Sequence, residues 1–265
     1  FIQEGKYKYI PYQKLFRRSE ILNIEGHGKF EALANRDSLK YRDAYKLHDV
    51  LTLYRGTIRR VGFSKAWNIF VQLGMTDDTY KMEKTENMSY REFVNSFLPY
   101  RPYDSVELKL RSYLNIDQDD ILWEKLEELD IFNDKKTFGI KNGTPAQLLQ
   151  KILMDKWTLK EDDKDMIVML HKFGYEYKGE RKQIESHTVV IGADQTYTAM
   201  AKTVGLPVAI ATLKILNGEI TKPGVQIPIA KEVYEPILKE LAETGIKFTE
   251  RKVPYLGYNP DQING

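Results

Sequence analysis

Cysteine is absent from this chain of 265 residues. That excludes disulfides, thiolate catalysis and cysteine-based zinc sites. Histidine is scarce. The four, His27, His48, His171 and His187, include no i, i+4 pair of the kind that holds a metal on one helix face. His171 and His187 are spaced to face each other across a hairpin, where sheet pairing is a stronger reading than ligation. No uninterrupted apolar run reaches 18 residues, so no membrane-spanning helix is expected. The longest apolar segment, 204–216, is broken by Gly205, Pro207, Thr212 and Lys214. Charge of one sign is lacking as well. The 40 basic and 38 acidic residues leave a formal net charge of +2, so nucleic acid, which wants a concentrated basic surface, is not an expected partner. There is no P-loop and no Gly-x-Ser-x-Gly elbow. Gly26-His27-Gly28 begins like a dinucleotide loop, but Glu31 stands where the third glycine belongs and a strand follows instead of a helix. A turn before a strand is the better reading.

The chain is long enough for one large domain or two modest ones, and its 42% hydrophobic residues suit a packed core. It opens Phe1-Ile2-Gln3-Glu4-Gly5, with no methionine and no signal-peptide pattern. It is expected to be a piece of a longer protein, from a cytoplasmic setting.

Residues 1–62 carry little helical periodicity. Lys29-Phe30-Glu31-Ala32-Leu33-Ala34 reads as a strand, and so does 50–55. From Phe63 the period changes. Phe63, Ala66, Trp67, Phe70 and Val71 fall on one helical face, and Gly74 ends the helix. Ser89-Tyr90-Arg91-Glu92 is a capping box. Further helices are predicted from Val106 to Leu114, over 121–129, and after Thr144-Pro145-Ala146-Gln147, which places threonine at the N-cap and proline at N1. Residues 63–160 thus read as an all-helical block. Strand signals return at Met166-Ile167-Val168-Met169-Leu170 and run to Tyr177. A turn at Lys178-Gly179 and a return strand through Ile184 to Ile191 make a long hairpin. Beyond it, Tyr197 to Leu216 reads as a helix broken or kinked at Gly205-Leu206-Pro207. Another helix starts at Glu235-Pro236 and stops at Gly245. Ile246-Lys247-Phe248 opens a last strand. The fold class is α+β: a mixed sheet interrupted by a helical insertion.

Three segments could carry function. In Asn35-Arg36-Asp37-Ser38, polar residues follow a buried strand, and Arg36 offers a planar fork suited to a carboxylate. By residue type alone, a solvated surface turn is the stronger reading there. Tyr54-Arg55-Gly56-Thr57-Ile58-Arg59-Arg60 puts Arg55, Thr57 and Arg59 on one side of an extended chain and Ile58 on the other. Such a row suits an anion; the alternative, an exposed, positively charged sheet edge, is a common one. Thr198 to Pro207 carries Ala199, Ala201 and Gly205, whose small size favours helix packing over ligand contact.

These segments together resemble the glutamate-forming saccharopine dehydrogenases, also called saccharopine reductases. The resemblance rests on Asn35-Arg36-Asp37-Ser38, then Arg55-Gly56-Thr57-Ile58-Arg59, then Met200-Ala201-Lys202-Thr203-Val204-Gly205-Leu206-Pro207, in that order. Gly218, Gly224-Val225 and Gly245-Ile246 follow suit. It extends over most of the chain and is weakest between residues 75 and 140. The fungal Asn-Arg-Asp-Ser-Thr-Pro is replaced after Ser38 by Leu39-Lys40-Tyr41, which leaves organism and cofactor preference open.

The resemblance implies an oxidoreductase that interconverts saccharopine with glutamate and 2-aminoadipate semialdehyde, using NADP or NAD, in lysine metabolism. It implies that residues 1–62 are the first part of a substrate domain, 63–160 a helical insertion, and 161–195 the second part of the substrate domain. Residues 196–265 would complete a Rossmann-type dinucleotide-binding domain. Substrate contacts carry over to Arg36, Thr57, Ile58 and Arg59. No catalytic or cofactor-binding residue carries over, because the family's counterparts lie upstream, so the piece alone is expected to be inactive. Saccharopine and glutamate are the expected small-molecule partners, and a second subunit makes the full enzyme a homodimer. A related carboxynorspermidine-synthase-like dehydrogenase and a non-catalytic ligand-binding or assembly module are the alternatives.

Overall fold

The computed structural model describes residues 1–255, 257 and 263–264. Of the segment 196–265, residues 256, 258–262 and 265 lie outside the described residues. The chain opens with a minimal hairpin, β1 (Ile2–Gln3) and β2 (Lys6–Tyr7), and a single turn of helix, α1 (Tyr12–Leu15). β3 (Ser19–Ile24) and β4 (Gly28–Ala34) then form an antiparallel pair. After one helical turn, α2 (Tyr41–Ala44), the chain returns as β5 (Gly56–Arg60) along the other side of β4.

The strand expected at 50–55 does not form. Ile2 and Leu53 exchange backbone hydrogen bonds, and the Gly5 amide donates to the Leu51 carbonyl. The N-terminal hairpin therefore occupies the groups that a strand would need. The strand lies immediately after residues 50–55, at β5. It is an edge strand, where arginines are tolerated because one side meets water. β3 went unpredicted, since its partner β4 stabilises it more than its own pattern does.

The helical block follows its sequence signals closely. α3 (Phe63–Leu73) ends at Gly74, whose φ of 84° is the left-handed cap. α4 (Tyr90–Ser96) has both halves of its capping box, with Ser89 accepting from the Glu92 amide and Glu92 from the Ser89 amide. α5 (Val106–Leu114) is capped by Ser105, and α6 (Ile121–Glu128) by Asp120. α7 (Pro145–Trp157) shows the second capping box, Thr144 with Gln147. These helices enclose one core that includes Phe70, Tyr90, Phe93, Leu110, Trp123, Leu148 and Ile152. Burial at this level, with Phe93, Leu110 and Leu148 at 0% exposure, is what stabilises short helices that propensity alone would not.

The long hairpin is β6 (Met166–Tyr177) and β7 (Glu180–Ile191). β7 starts four residues before the predicted Ile184. His171 pairs with Ser186, and His187 pairs with Leu170. The two histidines therefore point to opposite faces and do not meet, because the register is offset by one residue. Burial pushes the His171 imidazole below its ordinary range.

α8 (Ala199–Leu216) and α9 (Lys231–Glu243) pack through Ile210, Val233, Ile237 and Leu241. The predicted break at Gly205-Leu206-Pro207 is absent. Pro207 removes one amide, but the remaining ladder carries the helix across it. Nor does Pro236 start α9; it sits in the second turn, after a cap at Ala230. Of the three small residues in the third segment, Ala199 alone is buried, while Ala201 and Gly205 are exposed. α8 has a mean hydropathy of 1.5 over 18 residues, with 11% of that stretch buried. By length and composition it could cross a membrane. The polar interruptions within it barely lower that average, although no uninterrupted apolar run of 18 residues is present. β8 (Thr249–Val253) begins just past the predicted Ile246-Lys247-Phe248 and pairs antiparallel with β7. β9 (Ile263–Asn264) pairs with β3. The sheets are thus β5-β4-β3-β9 and β6-β7-β8, with the two-stranded β1-β2 beside them.

Candidate functional site

The candidate residues gather where β4 ends and β5 begins. The Asn35 amide donates to the Arg55 carbonyl at 2.9 Å, and the Arg55 amide donates to Ser38 Oγ at 3.1 Å. Ser38 is 1% exposed, so the turn is pinned from inside. Asp37 Oδ1 accepts from the Leu39 amide at 2.8 Å, a local Asx turn. Held between these bonds, Arg36 adopts a φ of 46°. That left-handed conformation is disfavoured for a residue with a side chain. Its guanidinium is exposed and has no hydrogen bond or ion pair among the described residues. The turn therefore presents a planar, uncommitted donor fork.

β5 carries the other three. Its register sets Thr57 opposite Leu33, Ile58 opposite Ala32, and Arg59 opposite Glu31. Thr57 and Arg59 share one face and Ile58 takes the other. Thr57 and Ile58 are half-buried, whereas Arg59 is exposed. Arg59 donates to the Ile58 carbonyl at 2.9 Å and lies over the Phe63 ring, 5.4 Å from its centroid. Arg55, expected in the same donor row, is not part of it. It precedes the strand, and its guanidinium stacks on Tyr41 at 4.1 Å. The row reduces to Thr57 and Arg59. Gly56 is where the two segments approach most closely: a Cβ there would lie 3.0 Å from the Tyr54 ring and 3.3 Å from the Leu33 carbonyl.

The structure brings the Arg36 turn directly against Arg55 and Gly56. It does not bring Arg36 into contact with Arg59. Arg59 lies three residues along the strand from Gly56, about 10 Å at ~3.4 Å per residue. The arrangement suits an extended ligand with acidic groups at both ends better than a compact one.

Glu31 is the residue that sequence reasoning missed. It is 3% exposed, and its carboxylate accepts from the Gly62 amide at 3.3 Å and the Ser64 amide at 2.5 Å. It thereby closes the N-terminus of α3 with the charge that end favours. A glutamate inside an apolar strand was the signal available.

The segment that begins like a dinucleotide loop in the sequence does not form one. Gly26-His27-Gly28 is the tight turn between β3 and β4, with the His27 amide bonded to the Ile24 carbonyl. It does not open a helix, so it lacks the oriented amides that bind pyrophosphate. A groove of about 540 Å³ lies at the far end of the hairpin, lined by Tyr175, Tyr177, Arg181 and Tyr255 among others. It is remote in sequence and sheet from the arginine pair.

Comparison with known proteins gives a consistent answer. Residues 1–246 match the family described as the saccharopine dehydrogenase C-terminal domain. The rat mitochondrial alpha-aminoadipic semialdehyde synthase is 35% identical over 234 residues, covering 86% of this chain and 24% of that protein. The NADP(+), L-glutamate-forming saccharopine dehydrogenase of Saccharomyces cerevisiae is 29% identical over 259 residues, covering 95% and 57%. The solved structure of the apo, L-Glu-forming enzyme from the same yeast superposes with a TM-score of 0.83 at 28% identity, over 95% of this chain and 58% of that one. The chain thus spans about a quarter of the rat relative and under three fifths of the yeast one.

Proposed function

The chain belongs to the saccharopine dehydrogenase C-terminal domain family, and from that premise we propose that it is the substrate-binding part of an NAD(P)-dependent saccharopine dehydrogenase. The full enzyme would interconvert saccharopine with glutamate and 2-aminoadipate semialdehyde in lysine metabolism. The observation that carries this reading is Arg36, fixed in a left-handed turn by buried Ser38 with its guanidinium free.

Saccharopine is long and bears three carboxylates, which matches two cationic groups set apart along a strand. Arg36 would clamp one carboxylate with a bidentate pair. Thr57 and Arg59 would hold a second, while half-buried Ile58 limits the width of the channel. These residues bind and orient; the hydride chemistry is that of the nicotinamide, NADP or NAD, held by the remainder of the enzyme. In this reading 1–62 and 161–195 form the substrate domain, 63–160 the helical insertion, and 196–265 the part that joins the dinucleotide-binding domain. The enzyme would be a cytoplasmic homodimer, and this chain alone would show no turnover.

Arg36→Ala in the full-length dehydrogenase is the test. Loss of a charge-assisted bidentate contact of ~2–3 kcal/mol corresponds to a rise in saccharopine Kd of roughly 30- to 150-fold. Titration calorimetry should find cofactor affinity unchanged. Equal losses for both ligands would remove Arg36 from the substrate site, and a full-length enzyme inert toward saccharopine would end the assignment.

A further inference from the structure

Three arginines stand in the connection between β4 and β5: Arg36, Arg42 and Arg55. Arg42 is committed. Its guanidinium donates to the carbonyls of Leu47 and His48 and to the Tyr7 hydroxyl. Arg55 is not. Its side chain has no hydrogen bond or ion pair among the described residues, although the residue is half-buried. Nearby acids are engaged elsewhere: Asp37 accepts from the Leu39 amide, and Asp43 lies 3.5 Å from His48 Nδ1.

Arg55 is nonetheless held in place. Its amide and carbonyl are bonded to Ser38 and Asn35. Its guanidinium carbon lies 4.1 Å from the centre of the Tyr41 ring. Tyr41 is itself stacked on Tyr45, at 6.1 Å between ring centres and 19° between planes. Stacking uses the face of a guanidinium and leaves its N–H edge free. An ordered, half-buried cation with an unoccupied donor edge suits a carboxylate, because little rotamer freedom remains to be lost on binding.

We propose that Arg55 binds the side-chain carboxylate of the glutamate half of saccharopine and sets the preference for glutamate, an assignment that rests on the substrate reading above. Spacing selects that half. In extended saccharopine the two carboxylates of the glutamate half are ~5 Å apart, and the lysine-derived carboxylate lies ~10 Å from the nearer of them, at ~1.25 Å of advance per bond. The site has the same asymmetry. Arg36 and Arg55 sit on segments bonded directly to each other, whereas Arg59 lies about 10 Å along β5. The paired carboxylates therefore lie at the Arg36 and Arg55 end, and the single one at Thr57 and Arg59. Glutamine in place of glutamate offers Arg55 a neutral amide and leaves a half-buried guanidinium without a counter-charge. Tyr41 positions Arg55 without touching the substrate.

The full-length dehydrogenase, run in the direction that joins glutamate to the semialdehyde with reduced cofactor, provides the test. In Arg55→Gln, kcat/KM for glutamate should fall at least tenfold while KM for the semialdehyde holds. The preference for glutamate over glutamine should fall by a similar factor. Arg55→Lys, which keeps the charge, should retain part of that preference. Tyr41→Phe, which keeps the ring, should retain more of it than Tyr41→Leu. Because both amino acids are compared on one preparation, the ratio is independent of the fraction of enzyme that is folded. An unchanged preference in Arg55→Gln overturns the proposal, and so does an equal loss for glutamate and glutamine; either leaves the substrate reading intact. A parent enzyme that joins no glutamate to the semialdehyde ends the substrate reading and the assignment of Arg55 with it.

Discussion

Ser38 anchors the turn that carries Arg36 from inside the fold. Its hydroxyl accepts the Arg55 amide in a place with almost no access to water. Ser38→Ala strands that amide, at a cost of ~1–3 kcal/mol. It should lower the urea midpoint and, on the substrate reading proposed above, weaken saccharopine binding with it, since Arg36 loses the anchor of its turn. Ser38→Thr, which keeps the hydroxyl, should recover part of the stability. A variant with full stability and full affinity would show that the anchor is unnecessary. The adjacency of the segments bearing Arg36 and Thr57-Ile58-Arg59 was legible from sequence only through the motif resemblance, and the structure sets the two segments side by side. The stacking of Arg55 on Tyr41 was not legible, since it joins a strand entrance to a one-turn helix whose place depends on the whole loop.

Helix ends were the most legible elements. Ser89 and Thr144 cap helices through contacts within three residues, as their motifs predict, and local chemistry is written locally. β3 and β5 were harder, because a strand is stabilised by neighbours distant in sequence. Between helices, Arg91 clamps Glu107 at 2.5 and 2.6 Å, and that hydrogen bond holds the Glu107 carboxyl below its ordinary value near 4.5. A carboxylate depressed by folding contributes stability that is present above its unfolded pKa and is lost as pH falls through its folded value. Both partners are about one third exposed, so the contribution is ~1 kcal/mol at most. Unfolding midpoints from pH 7 down to pH 3 should fall less steeply in Glu107→Gln than in the parent. Parallel profiles would show that the pair plays no part in acid sensitivity. In the same block, Leu148→Ala empties a fully buried position and should cost ~2–5 kcal/mol.

At the scale of the molecule, the helical block has a core of its own, closed from Ile69 to Leu153. Residues 63–160 expressed alone should therefore give a helical circular dichroism spectrum and a cooperative melt. A spectrum of unfolded chain would mean that the block depends on the sheets. Contacts across the boundary, such as Arg17 with Gln72 at 2.6 Å and Phe16 beside Trp67, predict a lower Tm than in the parent. The order of strands, helices and strands was readable from periodicity. The pairing of β8 with β7 was not, since nothing local tells a strand which edge to join.

Glu31 makes the two halves of this arrangement mechanically continuous. One oxygen pair holds the first turn of α3, and across the strand pair stands Arg59. A ligand bound by Arg59, as proposed above, would pull at the root of the helical block, directly across the strand pair from the carboxylate that fastens it. Deuterium uptake at the Ser64 amide should slow when the site fills, well before any distant part of the block responds. Glu31→Gln should disconnect the two, leaving ligand binding largely in place while the Ser64 amide exchanges at one rate with or without it.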